Sequence, residues 1–216
     1  MSLFALARAL VALSFLSKAQ AAIVVNTLPT PLTIIDNTGA SFDPIDVDGN
    51  GSIDFTFASD FSSAVGVRTE RFNRLIISPS SPPNVGGPAA SLENGTLIGP
   101  NLITSSLEWI SSDLQDGFVD GSEITAFISI VQVFFSGSNT DFNSRSSIGF
   151  EFETDDGTNY GYFDVSAADR SFASITLYGW AYETDPETAI FAGAVPEPSA
   201  FLLFMLGGCF IFRRYR

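Results

Sequence analysis

The chain contains no histidine and a single cysteine, Cys209. The first absence removes Ser-His-Asp catalysis, a histidine general base and His-ligated zinc. The second removes any disulfide within the chain and any Cys-type metal site. Cys209 lies inside an apolar run near the C-terminus, so the body of the chain has no thiol nucleophile either. Lysine occurs once, at Lys18, and methionine twice. No apolar run reaches the roughly 20 residues of an ordinary spanning helix. With no staple and no structural zinc, stability must come from a large apolar core.

Positive charge is scarce where the chain folds. Arg8, Lys18, Arg213, Arg214 and Arg216 account for half of the ten basic residues and lie at the two ends. The span Ala22–Pro198 keeps Arg68, Arg71, Arg74, Arg145 and Arg170 against all 24 acidic residues, a formal charge of −19. Such a field repels nucleic acid and anionic lipid and draws divalent cations. It suits a solvated surface or matrix protein, and acidity for solubility alone accounts for it equally well.

What is abundant is Phe, Ile, Thr, Ser and Gly, a strand-and-turn composition. Leu32–Ile35 and Leu75–Ile77 read as short strands. Ile53, Phe55 and Phe57 alternate with Asp54 and Thr56, which predicts one apolar and one wet face. The proline-rich stretch Ser78–Pro88 is a loop. Leu107, Ile110 and Leu114 recur at helical spacing, so Ser105–Gln115 is expected to form a short helix stopped by Asp116-Gly117. Ile124–Phe135 reads as a central strand. Ile148–Glu153, the turn Asp155-Asp156-Gly157 and Tyr160–Val165 form a hairpin. Ala167–Arg170 turns into a strand over Ser171–Glu183. There Ile175, Leu177 and Gly179 are expected on one face, with Thr176, Tyr178 and Trp180 on the other. The fold class is therefore all-β, an antiparallel sandwich or jelly-roll-like body with one short helix.

One segment has the spacing of a cation site. In Asp46-Val47-Asp48-Gly49-Asn50-Gly51-Ser52-Ile53-Asp54, the residues Asp46, Asp48 and Asn50 fall at positions 1, 3 and 5 of a calcium loop. Gly51 stands at the sharp turn, Ser52 offers its carbonyl at position 7 and Asp54 follows at position 9. Ca²⁺ is the one cofactor the sequence suggests. Position 12 departs from the pattern, since Phe57 replaces the bidentate Glu and no helices flank the loop. An Asp-x-Asp-x-Asn-Gly loop completed by a remote Asp60 or Asp43 stays open. So does a plain Asp-Gly/Asn-Gly turn, which the same residues make well.

Carboxylate pairs are the only catalytic device left. Glu151 and Glu153 share a strand face at positions i and i+2, but their alternation with Phe150 and Phe152 equally describes a solvated outer face. Tyr178, Trp180 and Tyr182 could form an aromatic platform for a glycan, or be core packing. Arg68, Arg71 and Arg74 in RTERFNR are expected to pair with nearby carboxylates. No phosphate-binding glycine loop is present.

The two ends differ from the body. Residues 1–21 have one Arg, the apolar stretch Ala9–Leu16 and Ala19-Gln20-Ala21, the three parts of a secretory signal cleaved after Ala21. At the other end, Val195-Pro196-Glu197-Pro198-Ser199 precedes the uncharged run Ala200–Phe212 and then Arg213, Arg214 and Arg216. As a helix that run is roughly 20 Å long, against a hydrocarbon core of about 30 Å. The terminal arginines would keep its end on the cytoplasmic side.

This order of Pro-Glu-Pro triplet, apolar segment and arginine cluster resembles a PEP-CTERM sorting signal. The resemblance implies an exported protein of a Gram-negative-type bacterium. Pro196, Glu197 and Pro198 would be the sorting motif, with Arg213, Arg214 and Arg216 as stop signal. The implied partners are an exosortase-like membrane protease or transpeptidase, the inner membrane through the C-terminal helix, and extracellular polysaccharide, with no nucleic acid. The stretches Ile148–Phe152, Tyr160–Val165 and Leu177–Thr184, and the junction Ala192–Pro198, are similar to ectodomains that precede such signals. That likeness implies location and fold, and no chemistry. The expected organisation is a signal peptide over 1–21, an acidic ectodomain over 22–194 and the sorting signal over 195–216. A non-catalytic surface or matrix protein is the leading expectation. A carbohydrate-binding module, calcium-dependent or not, is the alternative.

Overall fold

A computed structural model describes residues 22–35, 41–59, 64–78, 89–101, 106–111, 128–134, 137–138, 145–169 and 173–195. In chain order the strands are β1 (Ile23–Ile35), β2 (Ser41–Ile45), β3 (Phe55–Ser59), β4 (Ala64–Thr69) and β5 (Arg74–Ile77). Then come β6 (Leu97–Ile98), β7 (Glu108–Ile110), β8 (Ile128–Phe134) and β9 (Gly137–Ser138). The last four are β10 (Ser146–Thr154), β11 (Gly157–Asp169), β12 (Ala173–Glu183) and β13 (Ile190–Phe191). Every pairing among these strands is antiparallel. A six-stranded sheet runs β1-β12-β11-β10-β5-β7, a five-stranded sheet runs β2-β3-β4-β8-β9, and β13 pairs with β6. The expected all-β antiparallel body is the one found.

The two larger sheets enclose one core. Phe55, Phe57, Val65 and Val67 come from one side; Ile148, Phe150, Phe152, Phe163, Val165, Ile175 and Leu177 come from the other. Phe163 lies at its centre, with ring centroids 4.4 Å from Phe150, 5.1 Å from Phe57 and 5.2 Å from Phe55. Tilted and edge-on contacts of this kind add to the burial of large apolar area. A second, smaller core covers the opposite face of the six-stranded sheet. Ile98, Leu92, Ile190 and Ala192 pack there over Ile76, Tyr160, Tyr162 and Ala181.

Edge strands carry their own protection. β2 lies at the edge of its sheet with Pro44 within it, and β1 is an edge with Pro29 and Pro31. Proline donates no ladder hydrogen bond, so these edges resist pairing with another chain.

The prolines of β1 mark a break in register. Thr27 pairs with Gly179 and Leu32 with Leu177, so Leu28–Pro31 stand opposite Tyr178 alone. On the other side of β12, Asp164 pairs with Gly179 and Val165 with Leu177, again passing over Tyr178. Tyr178 is thus the extra residue of a β-bulge, and a bulge reverses which face the following side chains occupy. Ile175 and Leu177 belong to the inter-sheet core; beyond the bulge, Trp180 and Tyr182 pack against that same core, while Ala181 joins the outer one.

Several expectations are corrected. Glu108–Ile110 is a strand paired with β5, not part of a helix, and no helix occurs among the described residues. Helical spacing was an accident of a segment whose Trp109 lies partly buried against the outer core. Ile53 is 40% exposed and precedes the strand, while Asp54 and Thr56 are buried. Their polar atoms are satisfied, Thr56 Oγ1 donating to Glu70 Oε1 at 3.1 Å. The strict alternation expected over Ile175–Trp180 fails at the bulge. The turn expected over Ala167–Arg170 starts later, since Ala167–Asp169 continue β11 and pair with Ile175, Ser174 and Ala173 of β12. The expected signal helix and C-terminal helix, the proline-rich loop from residue 79 to 88 and Arg170 itself lie outside the described residues.

Two substitutions test this architecture. Phe163→Ala is expected to cost about 3–5 kcal/mol, read as a fall in urea midpoint; a loss below about 1 kcal/mol would mean that the aromatic cluster is not the core. Gly179→Ala places a Cβ 2.2 Å from the Asn26 carbonyl oxygen, which belongs to the backbone and cannot rotate aside. Amide exchange in β1 should rise sharply in that variant while β10 and β11 stay protected.

Candidate functional site

The β2–β3 connection, Asp46–Asp54, folds around its own carboxylates. Asp46 Oδ1 accepts the Gly49 and Asn50 amides at 2.8 and 3.1 Å, and its Oδ2 accepts the Gly51 amide at 2.7 Å. Asp48 Oδ1 accepts the Asn50 amide at 3.1 Å. Gly49 and Gly51 have φ of 77° and 89°, a left-handed backbone that glycine adopts without strain. Asp54 closes the loop from the far side: its Oδ2 accepts the Val47 amide at 2.8 Å, and Asn73 Nδ2 donates to its Oδ1 at 3.4 Å.

Asp46, Asp48 and Asp54 each bring one carboxylate oxygen to within 4.8 Å of the others. Those three are the sequence-expected residues that the fold draws together. Asn50 and Ser52 serve the loop itself. Asn50 Nδ2 donates to Asp48 Oδ2 at 2.9 Å, and its Oδ1 accepts the Ser52 amide at 2.8 Å. Phe57, at the place of the bidentate Glu, is fully buried in the core. Asp43 is not among the converging oxygens, and Asp60 lies outside the described residues.

The electrostatics favour a cation. Asp54 is only 3% exposed. Burial pushes its carboxyl above the usual range, and the neighbouring Asp48 and Asp46 push the same way, while the Val47 amide and Asn73 oppose them. Three convergent oxygens suit a hard divalent ion, which would relieve that repulsion.

Sequence reasoning missed what seats the loop. Trp180 Nε1 donates to the Val47 carbonyl at 3.0 Å, and Asn26 Nδ2 reaches the same oxygen at 3.5 Å. Tyr182 stands edge-on to Phe152 at 5.3 Å. Burial raises its hydroxyl pKa, with Asp48 and Asp46 adding to the shift. No local pattern announces these contacts, because the Tyr178 bulge alone turns Trp180 and Tyr182 inward. The expected platform is therefore split. Trp180 and Tyr182 belong to the loop's seat, and Tyr178 faces outward, with its hydroxyl 3.1 Å from Ser166 Oγ.

Glu151 and Glu153 do not share a wet groove. Glu151 is 4% exposed beneath the outer layer and paired with Arg74; Glu153 is exposed. Burial raises the Glu151 carboxyl and Arg74 partly offsets it. Across the strand pair, burial above all pushes Tyr160 to about 12, with Glu151 and Glu187 adding to it. Arg68 pairs with Glu70 at 2.5 Å, as expected of that arginine cluster. The sorting motif Pro196, Glu197 and Pro198 and the arginines Arg213, Arg214 and Arg216 lie outside the described residues.

At an affinity in the weak extracellular range, about 10⁻³ M, 10 mM Ca²⁺ should stabilise the protein by about 1.4 kcal/mol. For a body of this size that is a rise of about 3–6 °C in Tm, with a smaller rise in Mg²⁺. Asp46→Asn and Asp54→Asn should abolish it; no rise in the parent protein would refute the site.

Proton linkage gives a second test. Asp54 and Glu151 have folded pKa values above their ordinary 3.8 and 4.5, so folding takes up protons. Their stabilising contribution is complete below the ordinary values and is lost as pH rises through the raised ones. In chelator, Tm should fall as pH rises above the ordinary carboxylate range, and Asp54→Asn or Glu151→Gln should each flatten that slope. An unchanged slope in both would contradict the assigned burial.

Comparison with protein-family models, with curated proteins and with solved structures yields no match. The chemistry of this chain is read from its own residues.

Proposed function

We propose that the chain is a non-catalytic, exported cell-surface or matrix protein. An acidic β-sandwich, delivered by the N-terminal signal, is handed by its C-terminal segment to an exosortase-like membrane enzyme. The observation that supports this reading is the order of the C-terminal residues, Pro-Glu-Pro, apolar run and arginine cluster, directly after the last described contacts of the sandwich. Tyr162 donates its hydroxyl to the Ala194 carbonyl at 2.6 Å, the last hydrogen bond among the described residues, and Val195 is already 69% exposed. In the sequence, Pro196-Glu197-Pro198, the apolar run Ala200–Phe212 and the terminal arginines follow directly. At the other end, the Ala22 carbonyl accepts the Thr184 amide at 3.1 Å, one residue past the expected cleavage after Ala21. The formal charge of −19 over Ala22–Pro198 fits a hydrated envelope or polysaccharide matrix.

Within this reading the Asp46–Asp54 loop is a calcium brace. Calcium outside the cell would fasten the β2–β3 connection to β12, a task that disulfides perform in other exported domains. A second reading, a carbohydrate-binding module, is favoured by one observation: Tyr178 stands on the outer face beside the Arg145–Asp164 ion pair.

Replacing Pro196, Glu197 and Pro198 together by alanine tests the sorting role in a host that carries an exosortase-like enzyme. The parent protein should lose the mass of its tail and appear in the outer envelope or medium. The variant should keep its tail and remain with the inner membrane. Identical mass and distribution for both would sink the proposal.

A further inference from the structure

Two Asn-Gly pairs lie in exposed turns, Asn50-Gly51 in the acidic loop and Asn94-Gly95 just ahead of β6. Asparagine before glycine is chemically labile, because glycine has no side chain to shield its nitrogen from the preceding amide carbon. The two pairs differ in what holds that nitrogen. The Gly95 N–H donates to the Ala192 carbonyl at 2.9 Å, a neutral acceptor. The Gly51 N–H donates instead to the Asp46 carboxylate, with Oδ2 at 2.7 Å.

The Asn50 side chain is held at both of its polar atoms. Its Oδ1 accepts the Ser52 amide at 2.8 Å, which closes a ring that contains both Asn50 Cγ and the Gly51 nitrogen. Its Nδ2 donates to Asp48 Oδ2 at 2.9 Å. Gly51 has φ of 89°, and a Cβ there would meet nothing within 4 Å, so the backbone stands in open space. A proton acceptor at the nucleophile, a donor at the carbonyl oxygen and a carboxylate at the leaving nitrogen are what acyl transfer requires. At Asn94 no carboxylate meets the glycine nitrogen.

We propose that Asn50-Gly51 is a self-modification site, at which the loop converts Asn50 to aspartate and isoaspartate. The Gly51 nitrogen bonds to Asn50 Cγ as its proton passes to Asp46 Oδ2. The Ser52 amide holds the charge that develops on Oδ1. The Cγ–Nδ2 bond then breaks, and the departing nitrogen takes up that proton and leaves as ammonia. A five-membered imide remains, and water opens it at either carbonyl. Opening at Cγ leaves an aspartate at position 50, a further carboxylate in the loop. Opening at the main-chain carbon leaves isoaspartate, with one extra methylene in the backbone. The reaction is independent of how the chain is sorted and needs no metal. Calcium on Asp46 and Asp48 would withdraw both carboxylates and protect the pair, a corollary that rests on the calcium brace.

Peptide mapping by mass spectrometry tests it, on the full chain kept for days at neutral pH in chelator and a zwitterionic detergent. Loss of ammonia followed by gain of water should proceed roughly ten-fold faster at Asn50 than at Asn94, still below the roughly 10²–10⁴-fold of an enzyme's general base. In concentrated urea the two rates should converge. Asp46→Asn should lower the rate at Asn50 toward that at Asn94. Equal rates in the folded chain would overturn the proposal. So would a difference that persists in urea, since sequence and not fold would then set it. A faster reaction in Asp46→Asn would overturn it as well, by showing that the carboxylate only restrains the loop. With an affinity of about 10⁻³ M, 10 mM Ca²⁺ should slow the reaction at Asn50 about ten-fold and leave Asn94 unchanged. No slowing would overturn the calcium brace and leave the self-modification standing.

Discussion

A single extra residue in β12 organises this molecule. With Tyr178 bulged out of register, Ile175 and Leu177 enter the inter-sheet core before it, and Trp180 and Tyr182 turn to that same core after it. Without the bulge, Trp180 would face outward and the Val47 carbonyl would lose its indole donor. The acidic loop would then have no seat on the six-stranded sheet. The bulge also leaves Tyr178 on the outer face, where it meets the Arg145–Asp164 ion pair. One local irregularity thereby shapes both faces of the sheet.

The rest of the fold compensates for what the chain lacks. No disulfide ties the two sheets together, and five arginines face 24 acids between Ala22 and Pro198. Self-repulsion at neutral pH works against compaction. Opposing it are the phenylalanines around Phe163 and the second core beneath β6 and β13. The polar groups caught between these layers are satisfied, Asn159 Nδ2 donating to the Glu183 carbonyl at 2.8 Å and Arg74 meeting Glu151. A buried carboxylate with a raised pKa is a weak point, and calcium at the loop would remove one of them.

Much of the sandwich was legible in the sequence. Ile148, Phe150 and Phe152 alternate cleanly, and all three are buried in a strand whose hairpin turns at Asp155-Asp156 as the Asp-Asp-Gly signal implies. Asp46, Asp48 and Asp54 converge because their spacing, with glycines at the turns, dictates it. What was illegible depends on tertiary contacts. Glu151 reads as a wet residue because nothing near it in sequence reveals the layer that covers it. Glu108–Ile110 reads as helix because three apolar residues at helical spacing outweigh a β-sheet partner far away in the chain. Tyr178, Trp180 and Tyr182 read as one platform because strict alternation assumes no bulge. The proline pair in β1 opposite Tyr178 was the one available hint of a break.

The most direct test of the central claim uses the two tryptophans, Trp109 and Trp180, whose indole resonances are readily told apart. In a ¹⁵N-edited NOE spectrum, the Trp180 indole proton should show cross-peaks to Val47 and Asn26 and exchange slowly with solvent. An indole of Trp180 that exchanges freely and shares its NOEs with Tyr178 and Arg145 on one outer face would contradict the bulge, and with it the seat of the loop.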